Sequence, residues 1–298
     1  MFAWWCGPSA SRTATSSTTR ARIRAKDRRS RRLGSPLRAV CRLLAYFAWT
    51  FSLIPVQVAL LALGAAASRR LPRIYHRGCC RILGLDLRIV GERCQTHPVL
   101  FVANHTSYLD ISVLGAAIDG CFVAKAEVSG WPLFGLLAKL QRTVFVERRR
   151  GAAKDQAGDI ARRLEAGDDL ILFPEGTSTD GNRVLPFKSS LFAVAEAQVA
   201  GRAITVQPVS VAFTRLDGMP LGRHLRSYYT WYGDMDMASH LWGVVSLGTV
   251  TVEIEFHPPT TLDAHGSRKS LARHCGDRVA AGLAAALSGR RALAAGSA

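Results

Sequence analysis

Residues 43–67, LLAYFAWTFSLIPVQVALLALGAAA, run for 25 positions without a charged side chain, and this run constrains the fold more than any other part of the chain. As a helix it is long enough to cross a hydrocarbon layer of roughly 30 Å. It exceeds the roughly 7 to 15 apolar residues of a secretory leader, so it is expected to remain in the chain as a membrane anchor. Arg28, Arg29, Arg31, Arg32, Arg38 and Arg42 precede it, and Arg69, Arg70, Arg73, Arg77 and Arg81 follow. Two cationic flanks favour keeping both ends on the cytoplasmic side of an inner membrane, and Pro55 offers a kink or the turn of a helical hairpin. A monotopic anchor over residues 38–72 is therefore preferred, with a single tilted span as the alternative.

The charge is placed unevenly. Of a formal net charge of +17, residues 1–37 hold +8 in a stretch otherwise rich in Ser, Thr and Ala. Without apolar periodicity that stretch is expected to be a disordered basic tail, able to touch anionic lipid headgroups at up to about 1 kcal/mol per basic residue. With 48% apolar residues over 298 positions, the remainder can bury a core without covalent staples. The seven cysteines lack C-x-x-C spacing, suit a reduced compartment and offer no structural zinc site. A membrane-tethered, non-enzymatic binder of acidic lipid or nucleic acid is the competing class. The basic tail lacks the interleaved aromatics of a single-strand stacking surface, so no nucleic-acid partner is expected.

From about residue 84 short β-rich runs alternate with helical stretches. LDLRIVG, HPVLFVAN, GCFVAKA, RTVFVER, DDLILFPEG, ITVQPVSVAF and TVTVEIEFH read as strands; ISVLGAAI, WPLFGLLAKL, AAKDQAGDIARRLEAG and KSSLFAVAEAQVA read as helices. The alternation predicts an α/β fold with a mixed, largely parallel sheet flanked by helices. In the last run Val250, Val252, Ile254 and Phe256 alternate with Thr251, Glu253 and Glu255, which predicts an edge strand or one covered on one side only. Residues 268–287 read as a terminal helix, and 289–298 as a flexible tail.

Three places can carry chemistry. The run HPVLFVAN leads into His105 and Asp110, an H-x-x-x-x-D spacing at a strand-to-helix turn. On one continuous helix these residues would stand about 140° apart, so they meet only if His105 lies on the loop and Asp110 in the first helical turn. The aspartate would then fix one imidazole nitrogen and leave the other to take a proton from a hydroxyl. The same stretch fits S-x-x-D, in which Ser107 merely caps the helix. DDLILF runs into Pro174, Glu175, Gly176, Thr177 and Ser178, a carboxylate, a Gly turn and two hydroxyls at a strand's carboxyl end, where ligands gather in open α/β sheets. Lys125 and Arg148 close neighbouring strands and could clamp an anion, although each singly is also what a solvated surface carries.

NHTSYLD (104–110), VFVER (144–148), FPEGTS (173–178) and VQPVSV (206–211) follow one another in an order that resembles the glycerolipid acyltransferases related to the bacterial enzyme acylating 1-acyl-glycerol-3-phosphate. The resemblance covers roughly residues 75–260 and implies a glycerol-3-phosphate acyltransferase-like domain over 75–288. It implies that His105 is the catalytic base and Asp110 its partner. It further places Phe145, Arg148, Glu175 and Gly176, with Thr177 and Ser178 of the same block, at the acceptor site, lets Pro208 shape the fourth block, and matches Lys125 to a basic position. Ser190 departs from the pattern, standing where the family usually has Gly after a basic residue.

The implied activity is transfer of a fatty acyl group from acyl-CoA or acyl-carrier protein to the hydroxyl of a membrane lyso-lipid, with no cofactor and no metal. Lysophosphatidate, giving phosphatidic acid, is the first acceptor expected. WPLFGLLAKLQRTVFVER, LFPEGTSTDGNR and AFTRLDGMPLGRH are also similar to a branch that acylates lyso-ornithine lipid. Each acceptor sets an anion near a free hydroxyl, a phosphate in one and a carboxylate in the other. No G-x-S-x-G, H-E-x-x-H, P-loop or G-x-G-x-x-G occurs, so an acyl-enzyme route, metal hydrolysis, nucleotide hydrolysis and hydride transfer find no support.

Overall fold

The computed structural model describes residues 34–146, 160, 162–199 and 201–289. The expected basic tail, apart from its last four residues, lies outside them, as do Arg148, most of AAKDQAGDIARRLEAG and residues 290–298.

The chain begins with two helices, α1 (Pro36–Ala62) and α2 (Ala67–Leu83), followed by β1 (Leu85–Val90), β2 (Val99–Ala103), α3 (Leu109–Ala117) and β3 (Gly120–Lys125). Next come α4 (Phe134–Leu140), β4 (Val144–Val146), β5 (Asp169–Leu172) and a 3-10 helix at Ser189–Glu196. The small hairpin β6 (Gln198–Val199) and β7 (Arg202–Ala203) precedes the long β8 (Thr205–Leu216) and β9 (Met219–Pro220). The chain closes with α5 (Arg223–Arg226), α6 (Met237–Ser246), β10 (Val250–Phe256) and α7 (Arg268–Leu287).

The main sheet has the order β1-β10-β8-β2-β5-β3-β4, with β9 paired to β8. Only the β10–β8 contact along that path is antiparallel; β1, β10 and the block β8-β2-β5-β3-β4 are otherwise joined in parallel. The mixed, largely parallel sheet expected from the alternation is thus present. β2 is central, and its side chains alternate between two cores: Val99, Phe101 and Ala103 face one, Leu100 and Val102 the other. The first core is closed by residues of α2, α3 and α6, such as Leu83, Val113 and Val244. The second is closed by Phe192 of the 3-10 helix and by Leu271, Cys275 and Val279 of α7.

Two expectations are corrected. β10 is not an edge strand: it lies between β1 and β8, and the sheet ends at β1 and β4. Its acidic face is covered as well, for Glu253 is buried and α7 crosses Ser210, Glu255 and His257 so closely that a Cβ at Gly282 would collide with them. The alternating pattern mistook this covered polar layer for solvent. KSSLFAVAEAQVA is also not one α-helix, since its 3-10 turns stop at Glu196 and the chain passes into the β6–β7 hairpin, which reverses at Gly201. Ser190 stands in those 3-10 turns without a left-handed backbone, so replacing the family's usual Gly introduces no strain there.

The hydrophobic run forms most of α1. The helix starts at Ser35, whose hydroxyl accepts the Arg38 N–H, with Pro36 at its first position. It continues unbroken through Pro55; the reversal into α2 comes at residues 63–66 instead. One side of α1 faces the protein through Ala39, Thr50 and Gln57, whereas Leu37, Val40, Leu44, Phe47, Phe51 and Val58 recur at helical spacing on the exposed side. Such a contiguous apolar stripe marks a surface that meets lipid or protein.

Arg42 fastens this helix to the domain. Its Nη1 donates to the carbonyls of Leu247 at 2.8 Å, Gly248 at 3.2 Å and Val245 at 3.3 Å, at the carboxyl end of α6. A cation is favoured beside those helix-terminal carbonyls. Arg42→Ala is expected to cost about 1.5–3 kcal/mol, the usual value of hydrogen bonds to a charged group. The same variant should speed proteolytic cutting at residues 63–66; an unchanged melting temperature and cutting rate would show that Arg42 does not couple the two parts.

Candidate active site

The strands β2, β3, β4 and β5 run parallel and end on one edge of the sheet, where His105, Asp110, Lys125, Phe145 and the turn at residues 175–178 follow or close them; Arg148 lies outside the described residues, and Pro208 sits within β8. Asn104 sets the point at which the chain leaves β2. Its Nδ2 donates to the Val211 carbonyl at 2.9 Å and its Oδ1 accepts the Val211 N–H at 2.8 Å, extending the β2–β8 ladder beyond Ala103.

His105 then falls on the loop and Asp110 in the first turn of α3, the arrangement their spacing requires. His105 Nδ1 lies 2.9 Å from Asp110 Oδ2, and both side chains are buried. The carboxylate also accepts the backbone N–H groups of Thr106 at 2.6 Å and Ser107 at 2.9 Å, and the Thr106 hydroxyl at 3.1 Å. Four donors on one carboxylate in the first turn of α3 fix its orientation. With Nδ1–H donated to Asp110, Nε2 carries the ring's lone pair and is the nitrogen that takes up a proton.

The capping alternative holds only in part. Asp110 sits in the first helical turn and accepts the Ser107 N–H, as in a capping box, but the buried Ser107 Oγ has no hydrogen-bond partner among the described residues and caps nothing. Phe173 stacks on the imidazole with ring centroids 4.2 Å apart, and Phe122 stacks behind Phe173 at 6.2 Å. The stacked face of Phe173 holds the plane of the imidazole.

The turn after β5 is joined to the same loop. Glu175 is buried, its Oε1 accepting the His105 N–H and its Oε2 the Leu185 N–H, each at 2.8 Å. Burial pushes its pKa up to about 7, against the opposing pull of those two donors, and the nearby Asp110 charge adds to the rise. Gly176 turns the chain with φ 66°, a left-handed conformation that disfavours a side chain. The Ser178 hydroxyl donates to the Trp231 carbonyl, while the Thr179 N–H donates to the His105 carbonyl at 3.0 Å and the Trp231 N–H to the Thr106 carbonyl at 2.9 Å. Thr177 is half-buried.

Lys125 and Phe145, both half-buried, stand on the adjacent strands β3 and β4, where Ala124 pairs with Phe145 and Lys125 with Val146. Pro208 is buried in β8 opposite Val102, within the sheet and below the loop. The partners least visible in the sequence are Leu185 and Trp231, because they act through backbone atoms. Phe173 and Asn104 were visible as parts of the quoted blocks, but nothing in their spacing announced a stacked ring or a bracketed peptide.

Chemically, the arrangement supplies a base with a fixed tautomer and a buried anion behind it. It supplies no activated nucleophile at the two positions that could offer one. The Ser178 hydroxyl is engaged with a carbonyl, and Cys121 is buried in β3 with its thiol pKa raised by desolvation.

A family model described as acyltransferase matches residues 86–212. A lyso-ornithine lipid O-acyltransferase of Brucella abortus (strain 2308) is 48% identical over 250 residues, covering 83% of this chain and 94% of that protein. A 1-acyl-sn-glycerol-3-phosphate acyltransferase of Neisseria gonorrhoeae is 31% identical over 197 residues, covering 65% of this chain and 73% of its own length. The crystal structure of the 1-acyl-sn-glycerophosphate acyltransferase PlsC from Thermotoga maritima superposes with a TM-score of 0.58 at 20% identity, over 83% of this chain and 95% of that one, a likeness of fold.

Proposed function

The chain belongs to the acyltransferase family, and from that premise we propose that it transfers a fatty acyl group to the hydroxyl of a lyso-lipid, with lyso-ornithine lipid as its acceptor. The observation that carries the reaction is the buried His105–Asp110 pair at the carboxyl edge of the sheet. His105 Nε2 takes the proton of the acceptor hydroxyl as its oxygen attacks the thioester carbonyl of the donor. The tetrahedral intermediate collapses with cleavage of the C–S bond, and the imidazolium returns the proton to the departing thiolate. The donor is acyl-CoA or acyl-carrier protein, and the balance of atoms calls for no further cofactor.

The choice of acceptor rests on the relatives. The Brucella protein, named for lyso-ornithine lipid, shares 48% of its aligned residues with this chain, against 31% for the Neisseria protein named for 1-acyl-glycerol-3-phosphate. Lysophosphatidate, expected first from the motif blocks alone, is the second acceptor to test. In either case Lys125 is the cation of the described strand ends that would face the acceptor's anion. The protein would act at the cytoplasmic face of an inner membrane as a monotopic enzyme. The exposed stripe of α1 would enter lipid, while Arg42, Thr50 and Gln57 on its other side stay against the protein.

Membranes carrying the protein should transfer labelled acyl groups to lyso-ornithine lipid at least tenfold faster than to lysophosphatidate when both are supplied in parallel. Faster product from lysophosphatidate would reverse the acceptor assignment, and no product from either would end the acyl-transfer reading.

A further inference from the structure

Glu175 is the one carboxylate of the FPEGTS block, and the family resemblance would have it meet the acceptor. Its surroundings argue against that. The side chain is 1% exposed, and both oxygens are taken up by backbone N–H groups from two separate segments, His105 on the loop after β2 and Leu185 ten residues farther along its own segment. At 1% exposure the remaining lone pairs of its oxygens are closed to an acceptor's hydroxyl or ammonium. The bond to His105 is made to the peptide of the residue whose ring does the chemistry, so the carboxylate fixes the backbone from which the imidazole hangs.

Other contacts of the same turn act in the same direction. The Thr179 N–H holds the His105 carbonyl, the Lys188 N–H holds the Pro174 carbonyl at 3.0 Å, and Phe173, two residues before Glu175, stacks on the ring. The peptide of His105 is therefore gripped at its N–H by Glu175 and at its carbonyl by Thr179, while its ring is gripped by Asp110 at Nδ1 and by Phe173 on one face. Asp110 and Glu175 are two buried carboxylates with different tasks, one on the ring and one on the backbone.

We propose that Glu175 is a positioning residue, a strut between the His105 and Leu185 peptides that sets the place of the catalytic ring and does not contact the acceptor. This rests on the acyl-transfer reading of the site. Placement errors of about 1 Å can cost roughly 10²-fold in rate, so losing the strut should be felt in turnover while leaving the acceptor's own contacts intact.

The test is steady-state kinetics of Glu175→Gln and Glu175→Ala against the unaltered chain, varying the lyso-lipid at saturating acyl donor, with a melting curve for each. The glutamine form keeps one acceptor oxygen but turns an NH2 group toward the second N–H; the alanine form keeps neither. The expected result is a fall in kcat of at least tenfold for glutamine and a larger fall for alanine, with the lyso-lipid KM of both within threefold of the unaltered value. A lyso-lipid KM raised tenfold or more with kcat within twofold would assign Glu175 to the acceptor and overturn the proposal, as would unaltered kcat in the glutamine form. If the alanine form does not fold, the glutamine form, equal in size, decides by the same criteria. An unaltered chain that acylates no lyso-lipid would instead defeat the underlying acyl-transfer reading, a result separate from either KM or kcat pattern.

Discussion

Replacing His105 with alanine should lower acyl transfer by roughly 10²–10⁴-fold, the range that positioned general bases contribute, while the protein stays folded and membrane-bound. The change removes the group proposed to take the acceptor's proton. It leaves Asp110 with the donors of Thr106 and Ser107, so the loop keeps most of its hydrogen bonds. Membrane attachment is assigned to α1, whose exposed stripe and Arg42 anchorage do not involve the loop. Labelled product measured on washed membranes, with the amount of bound protein read from the same fractions, checks both halves. A variant that transfers acyl groups at the unaltered rate removes His105 from the mechanism. A variant that loses activity by leaving the membrane shows that the loop and anchor are coupled.

The second large effect is at Asp110, where two substitutions separate catalysis from folding. Asp110→Asn keeps the size of the side chain but turns an amide NH2 toward a cluster of N–H donors. It no longer holds Nδ1–H, and so no longer holds the lone pair on Nε2. When the carboxylate partner of a catalytic imidazole becomes an amide, the loss is about 10⁴-fold, and a decrease of that order is expected here. Asp110→Ala goes further, leaving the buried donors of Thr106, Ser107 and His105 without their acceptor. Each such orphan costs about 1–3 kcal/mol, so the alanine form should melt well below the asparagine form. Equal activity in Asp110→Asn and the unaltered chain would mean that the ring is held by something other than this carboxylate.

The parts of the molecule legible in the sequence were those whose cause is local. The strands β2, β5 and β8 announce themselves as apolar runs because both faces of a central parallel strand are buried. The meeting of His105 and Asp110 was implied by their five-residue spacing once a strand was seen to end at Asn104. What escaped was set by groups far apart in the chain. β10 reads as half-wet because its glutamates alternate with apolar residues, and only the close approach of α7 at Gly282 reveals that this layer is covered. Ser107 looked like a helix cap, yet only half of the capping box forms: Asp110 accepts the Ser107 N–H, while the Ser107 hydroxyl accepts no N–H of the first turn. The sequence showed Glu175 as a carboxylate at a strand end, the usual mark of a ligand contact. Its two partners are peptide N–H groups, one of them 70 positions away, and peptide groups leave no trace in side-chain spacing. In α1 the Pro55 ring suggested a break, but the helix absorbs it, and the reversal falls where the apolar run ends.

The central claim is that His105 acts on the acceptor's hydroxyl as a base and that no acyl group is ever carried by the protein. The most direct measurement is the intact mass of the protein after mixing with acyl-CoA or acylated carrier protein in the absence of lyso-lipid, followed by addition of lyso-lipid to a second portion. The account predicts an unaltered protein mass in the first portion and acylated lipid only in the second. A protein heavier by one acyl group, with the label then passing to the lipid, would contradict it.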